Sequence, residues 1–139
     1  MKKFKCLNCG ECCGPVPITM QEFTRIRAKV MSLKVAERKR IKAQKRGLLE
    51  CPLRDKENKC CLVYEIRPWI CRQYGHVPGM VCPHNPQVKL KSNKEADQDI
   101  ETYMAYINDN PFDRLAGFMA IDIGWKELEQ GLSNSLRNG

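Results

Sequence analysis

The chain carries nine cysteines, at positions 6, 9, 12, 13, 51, 60, 61, 71 and 82, and these are the residues with chemistry to offer. Four of them fall in the opening stretch Phe4-Lys5-Cys6-Leu7-Asn8-Cys9-Gly10-Glu11-Cys12-Cys13-Gly14-Pro15. Thiolates are soft anionic ligands, and four packed this closely repel one another unless a cation sits between them. The two-residue gaps of Cys6-x-x-Cys9-x-x-Cys12 let neighbouring thiolates grip one ion, and such a run opens zinc sites and iron–sulfur sites alike. Gly10 and Gly14 can take positive φ, which lets the backbone wrap tightly round a centre. The competing reading is a disulfide framework. It is disfavoured by the odd cysteine count and by a start, Met1-Lys2-Lys3-Phe4-Lys5-Cys6, without the apolar stretch of a signal peptide.

Cys51, Cys61 and Cys71 stand at even intervals, with Cys82 beyond them. With Cys6, Cys9, Cys12 and Cys13 they make eight thiolates, enough for two four-cysteine sites that pin two parts of the chain together. The side chains of adjacent cysteines diverge, so Cys12 and Cys13 serve two neighbouring centres, or one of them stands behind the ligands. His76 and His84 are alternative ligands, each read as an exposed loop histidine. The expected cofactor is zinc, with an iron–sulfur cluster as the alternative.

Around these residues the sequence predicts helices. Thr19 with Glu22 makes a capping box, and Phe23, Ile26, Val30 and Leu33 follow on one face. Ser32 is a candidate cap for a second helix whose stripe, Leu33, Ala36 and Ile41, runs toward a C-cap at Gly47. Arg54-Asp55-Lys56-Glu57-Asn58 reads as a polar turn and Cys61-Leu62-Val63-Tyr64 as a strand. Pro68 can open a short helix carrying Cys71. Ser92 or Asn93 begins a helix with Ile100, Tyr103, Met104 and Ile107 inward. Asn110-Pro111 ends it and starts another carrying Leu115, Phe118 and Met119, and Trp125, Leu128 and Leu132 form a last helix after Gly124. The predicted fold is small and mainly α with irregular metal-bound cysteine loops and little β, α+β at most. Residues 1–139 read as one metal-stabilised domain: cysteine segments 4–15 and 51–82, a basic helical segment 19–47 between them, and a C-terminal helical segment 92–139.

The formal charge of +8 is unevenly placed. Residues 1–93 hold 20 Lys/Arg against 7 Asp/Glu, whereas residues 94–139 hold 4 against 9. Much of the excess lies in one strip: Arg25, Arg27, Lys29, Lys34, Arg38, Lys39, Arg40, Lys42, Lys45 and Arg46. Such a strip attracts nucleic acid weakly and without sequence preference, or attracts the acidic tail of the same chain. No aromatic residue is interleaved between Arg25 and Arg46 to stack on bases, so a solvated helix face is the preferred reading. No apolar run approaches the roughly 20 residues of a membrane span, and a cytoplasmic location is expected.

The cysteine segments also carry a resemblance. Phe4-x-Cys6-x-x-Cys9-Gly10-x-Cys12-Cys13 is similar to the N-terminal signature of the YkgJ-type, CxxCxxCC cysteine-cluster family of zinc- or iron-chelating proteins. Cys51-Pro52-Leu53 and then Cys61-x-Val63-Tyr64-Glu65-x-Arg67-Pro68-x-x-Cys71-Arg72-x-Tyr74 resemble its second signature. In that register Cys61 is the family cysteine and Cys60 the spare thiol, while residues 75–82 depart from the family's usual continuation. Arg67 and Arg72 also match, and would offset thiolate charge or hydrogen-bond carbonyls beside the cluster. The resemblance implies metal binding and names no reaction.

Three functions are compatible with these observations. The preferred one is a structural-zinc module that scaffolds a protein partner. The others are an iron–sulfur redox or catalytic protein and a zinc-stabilised nucleic-acid binder. The chain offers no nucleotide loop, no Ser-His-Asp pattern and no paired carboxylates, so the reading leans away from an enzyme.

Overall fold

The computed structural model describes residues 14–78, 80, 82, 84–85, 88–110 and 113–132. In chain order the elements are β1 (Pro17–Thr19), α1 (Met20–Ser32), α2 (Val35–Lys42), β2 (Arg54–Asp55), β3 (Cys60–Cys61) and a 3₁₀ turn (Tyr64–Ile66). Then come α3 (Trp69–Gln73), α4 (Asn93–Asp109), β4 (Leu115–Phe118) and α5 (Trp125–Gln130). The strands form two small antiparallel sheets, β1 with β4 and β2 with β3. The architecture is small α+β, within the predicted class.

Helix α1 begins as its sequence dictates. The Thr19 hydroxyl accepts the Glu22 N–H at 3.2 Å, and the Glu22 carboxylate accepts the Thr19 N–H at 2.9 Å. These bonds satisfy donors that a helix N-terminus otherwise leaves orphaned. Phe23, Ile26 and Val30 are buried on one face. Ser32 closes α1 by donating to the Lys29 carbonyl at 2.6 Å and does not cap α2, which starts after Lys34 without a side-chain cap. Helix α2 ends at Lys42, short of Gly47, because Gln44 and Arg46 turn back into the structure. Of the predicted α2 stripe only Ile41 is buried.

The expected helix over Leu115, Phe118 and Met119 is instead strand β4. It pairs with β1 in the register Pro17↔Phe118, Ile18↔Gly117, Thr19↔Leu115, with a bulge between Ile18 and Thr19. The three apolar residues are separated: Met119, just past the strand, is buried, while Leu115 and Phe118 are exposed and Ala116 fills the inward position between them. Gly117 sits at φ +145°, and a Cβ there would stand 2.9 Å from the Asp122 Cβ. Only glycine fits both conditions.

Helix α4 is capped by Ser92 as expected, and of the four residues expected inward Tyr103 and Ile107 do turn in, whereas Ile100 and Met104 do not. Ala96 and Ile107 are buried, whereas Ile100 and Met104 are each 47% exposed. The reason is Tyr103, whose ring stacks on Trp69 with centroids 4.4 Å apart. That contact turns the helix toward its Tyr103 and Ile107 side and leaves Ile100 and Met104 outward. Helix α5 begins after Gly124 as predicted, with the Glu127 carboxylate accepting the Gly124 N–H at 2.8 Å.

One hydrophobic cluster joins these elements: Ile18, Phe23, Ile26 and Val30 meet Ile41, Leu53, Val63, Ala116, Met119, Ile123, Trp125, Leu128 and Leu132. Cys51 and Cys61 are half-buried against it. No helix among the described residues is long and apolar enough to cross a membrane.

Candidate metal centre

Each described cysteine of the predicted ligand set sits on a differently supported piece of backbone. Cys51 lies in the turn that follows α2. The Arg46 guanidinium donates to the Cys51 carbonyl at 3.2 Å, to the Ile41 carbonyl at 3.1 Å and to the Gln44 side chain at 3.1 Å. Burial pulls the Arg46 pKa below its ordinary value, while the Cys51, Glu50 and Asp55 side chains oppose the shift. The Arg46 Nε–H is buried with no hydrogen-bond acceptor. A half-buried cation beside a cysteine suits the negative charge that a metal–thiolate group retains. On the other side of Cys51, the Trp125 indole N–H donates to the Pro52 carbonyl at 3.0 Å.

Cys61 lies on the hairpin of β2 and β3, opposite Arg54, while Cys60 lies opposite Asp55. The predicted strand Cys61–Tyr64 is shorter than expected: it ends at Cys61, and Tyr64–Ile66 form a 3₁₀ turn. The hairpin is held by Asp55, whose side chain is only 2% exposed. Its carboxylate receives both terminal nitrogens of Arg40, at 3.2 and 2.8 Å, and the Gln44 amide at 3.0 Å. It also receives the Asn58 side-chain amide and the backbone N–H groups of Glu57 and Asn58. The bond to Arg40 and the other donors hold the Asp55 carboxyl well below the usual carboxylate range, against the opposing effect of burial. The same carboxylate pushes the Arg40 pKa up.

Cys71 lies on α3, after Pro68 at the N-cap. The Trp69 N–H donates to the Glu22 carboxylate at 2.6 Å, so one buried glutamate serves the first turns of both α1 and α3. The Tyr103 hydroxyl stands 3.5 Å from the same carboxylate. Burial, followed by Glu22, pushes its pKa well up, which keeps it a donor.

Cys82 is buried. The side-chain amide of Asn85 donates to its sulfur at 3.4 Å.

The family arginines divide. Arg67 donates to the Tyr64 carbonyl at 3.0 Å, and its guanidinium carbon lies 4.0 Å from the Tyr64 ring centroid. Arg72 is exposed. His76 is half-buried, its backbone bonded to Gln73 and Lys91, and His84 is exposed.

Among the described residues, no group of three or more histidines, cysteines or carboxylates converges as an ion site. Cys6, Cys9, Cys12 and Cys13 lie outside the described residues. The described chain resumes at Gly14, where a Cβ would lie 3.7 Å from the Leu49 carbonyl oxygen. Strand β1 follows directly and packs against α3, the helix that carries Cys71.

Residues 5–105 match the model of the CxxCxxCC family, described as "Putative zinc- or iron-chelating domain". The chain belongs to this family. The CxxCxxCC match takes in all nine cysteines and ends inside α4, before β4 and α5. It supports metal binding, with zinc and iron both within the family description. No curated protein and no solved structure matches the chain.

The residues that hold the described cysteines in place carry weaker sequence signals than the cysteines themselves. Arg46 was one more member of a basic strip, and Trp125 only a core residue. Glu22 was legible as a cap for α1 but not for α3. Asp55 and Asn58, three apart in a polar turn, do carry the signal of a side chain folding onto its own backbone.

Proposed function

We propose that this CxxCxxCC protein is a metal-stabilised scaffold whose ion is structural zinc. In this reading Cys6, Cys9, Cys12, Cys13, Cys51, Cys61, Cys71 and Cys82 supply the thiolates, and residues 1–139 act as one unit that presents its surface to a protein partner. The observation that carries it is the seat of Gly14. The first cysteine block ends one residue before Gly14, and Gly14 stands against Leu49, two residues before Cys51. That contact sets the start of the described chain beside the turn that leads to Cys51, which supports a site shared by the two cysteine blocks. The donor set fits: soft sulfur ligands, with a half-buried guanidinium on the Cys51 carbonyl to offset their charge. Zinc closed by four thiolates has no open position for substrate, and when bound it supplies cross-linking rather than reaction chemistry.

The basic helices support the scaffold reading over nucleic-acid binding. Arg27, Arg38 and Lys42 all donate to Glu129, Arg40 to Asp55 and Glu57, and Arg46 to carbonyls. Half of the strip is thus spent on the fold itself.

Metal content and visible absorption of protein purified without air test the proposal. A colourless protein with bound zinc is expected, as is loss of the cooperative melt when a chelator strips it under reducing conditions. A brown protein with iron and sulfide would replace zinc by a cluster. A protein that carries neither, and melts unchanged after chelation, would overturn the reading.

A further inference from the structure

Cys82 lies at the end of the stretch that departs from the family's pattern, yet its sulfur has a built environment. Asn85 is 3% exposed and Cys82 7%. The Asn85 backbone N–H donates to the Cys82 carbonyl at 3.0 Å, and its side-chain Nδ2 donates to the Cys82 sulfur at 3.4 Å. Two bonds from one residue therefore fix both the backbone and the side chain of this cysteine. The surrounding loop is tied in its turn, with Val88 N–H on the Asn85 carbonyl and Lys91 N–H on the His76 carbonyl.

A buried amide N–H is a strong donor that needs a good acceptor. A neutral thiol sulfur is a poor one. A metal-bound thiolate is anionic, and hydrogen bonds to charged acceptors are roughly twice as strong as neutral ones. We infer that Asn85 is a positioning residue of the metal centre: its side-chain N–H orients the Cys82 sulfur as a ligand and takes up part of the charge that the sulfur keeps when bound. This inference rests on the metal-binding reading above and adds to it a residue outside the cysteine motif.

The test uses full-length protein, stripped and reloaded with cobalt(II) under reducing conditions. Wild type is expected to bind and to show a sulfur-to-cobalt charge-transfer band. A hydrogen bond lowers the energy of the sulfur lone pair, so Asn85→Ala should move that band to longer wavelength and weaken binding about 10- to 100-fold. Asn85→Asp keeps the side chain's shape but turns an acceptor toward the sulfur. It should lose at least as much, and it carries the test if Asn85→Ala does not fold. Cys82→Ser should lower the band's intensity. Weaker binding with an unshifted band would make Asn85 a loop-former only and overturn the inference. Asn85→Asp that binds like wild type would also overturn it, leaving the metal reading intact. Wild type that takes up no cobalt, zinc or iron would overturn both.

Discussion

The indole N–H of Trp125 donates to the Pro52 carbonyl at 3.0 Å, across 73 residues of sequence. Pro52 follows Cys51 directly, so the last described helix secures the first cysteine of the second block. Trp125→Phe keeps an aromatic side chain, smaller by the pyrrole ring, and removes the donor, leaving a buried carbonyl unpaired. The expected loss is about 1–3 kcal/mol in denaturant unfolding. Trp125→Ala adds a cavity and should lose about 3–5 kcal/mol. Equal stability of wild type and Trp125→Phe would show that this bond contributes nothing.

The family match ends at residue 105, but the fold does not. Met119, Ile123 and Leu128 belong to the core, and β1 pairs with β4. A fragment of residues 1–105 should therefore lack a cooperative thermal transition even with metal in excess. A sharp melt of that fragment would place the stabilising core entirely within the matched segment.

Cys60 and Cys61 are strand neighbours, so their side chains point to opposite sides. Cys61 packs against the core and fits the family register, while Cys60 stands opposite Asp55. Cys60→Ser should keep the full metal load, and Cys61→Ser should lose metal or solubility. The reverse result, measured as metal per chain, would shift the register of the second block.

Asp55 gives stability a defined pH dependence. Its folded pKa is depressed, chiefly by the bond to Arg40, so the unfolded chain binds its proton first as pH falls. Its contribution is fully present above the unfolded value of about 3.9 and is lost as pH falls toward the folded value. Asp55→Asn should be less stable than wild type at pH 7, and the two should converge in strong acid. Parallel curves across that window would mean that the carboxylate's charge does not support the hairpin.

Glu129 gathers Arg38 and Lys42 through its carboxylate at 3.3 and 2.8 Å. Glu129→Ala should release both and strengthen weak, sequence-independent binding to duplex DNA. The salt slope should steepen by about 0.9 for each phosphate newly contacted. Tight, sequence-selective binding by wild type would instead favour the nucleic-acid reading.

What the sequence determined alone is what closes within a few residues. The Thr19–Glu22 box, the Ser92 cap, the short helix after Pro68 and the start of α5 after Gly124 are local hydrogen-bonding and dihedral preferences, and each stands where its residues put it. The cysteine spacing points to metal binding for the same reason, because a motif is a local pattern, and the family match supports it. Tertiary structure decided the rest. Leu115–Phe118 is a strand because β1 offers it a ladder from the far end of the chain, which helical spacing cannot report. Helix α4 leaves Ile100 and Met104 exposed because its inward side is set by Trp69, which stacks on Tyr103. Asp55 and Trp125 support the segments that carry the cysteines through partners distant in sequence, Arg40 and Pro52. Burial strengthens those polar contacts by removing competing water, and no stretch of sequence read by itself carries the identity of a partner brought from elsewhere in the chain.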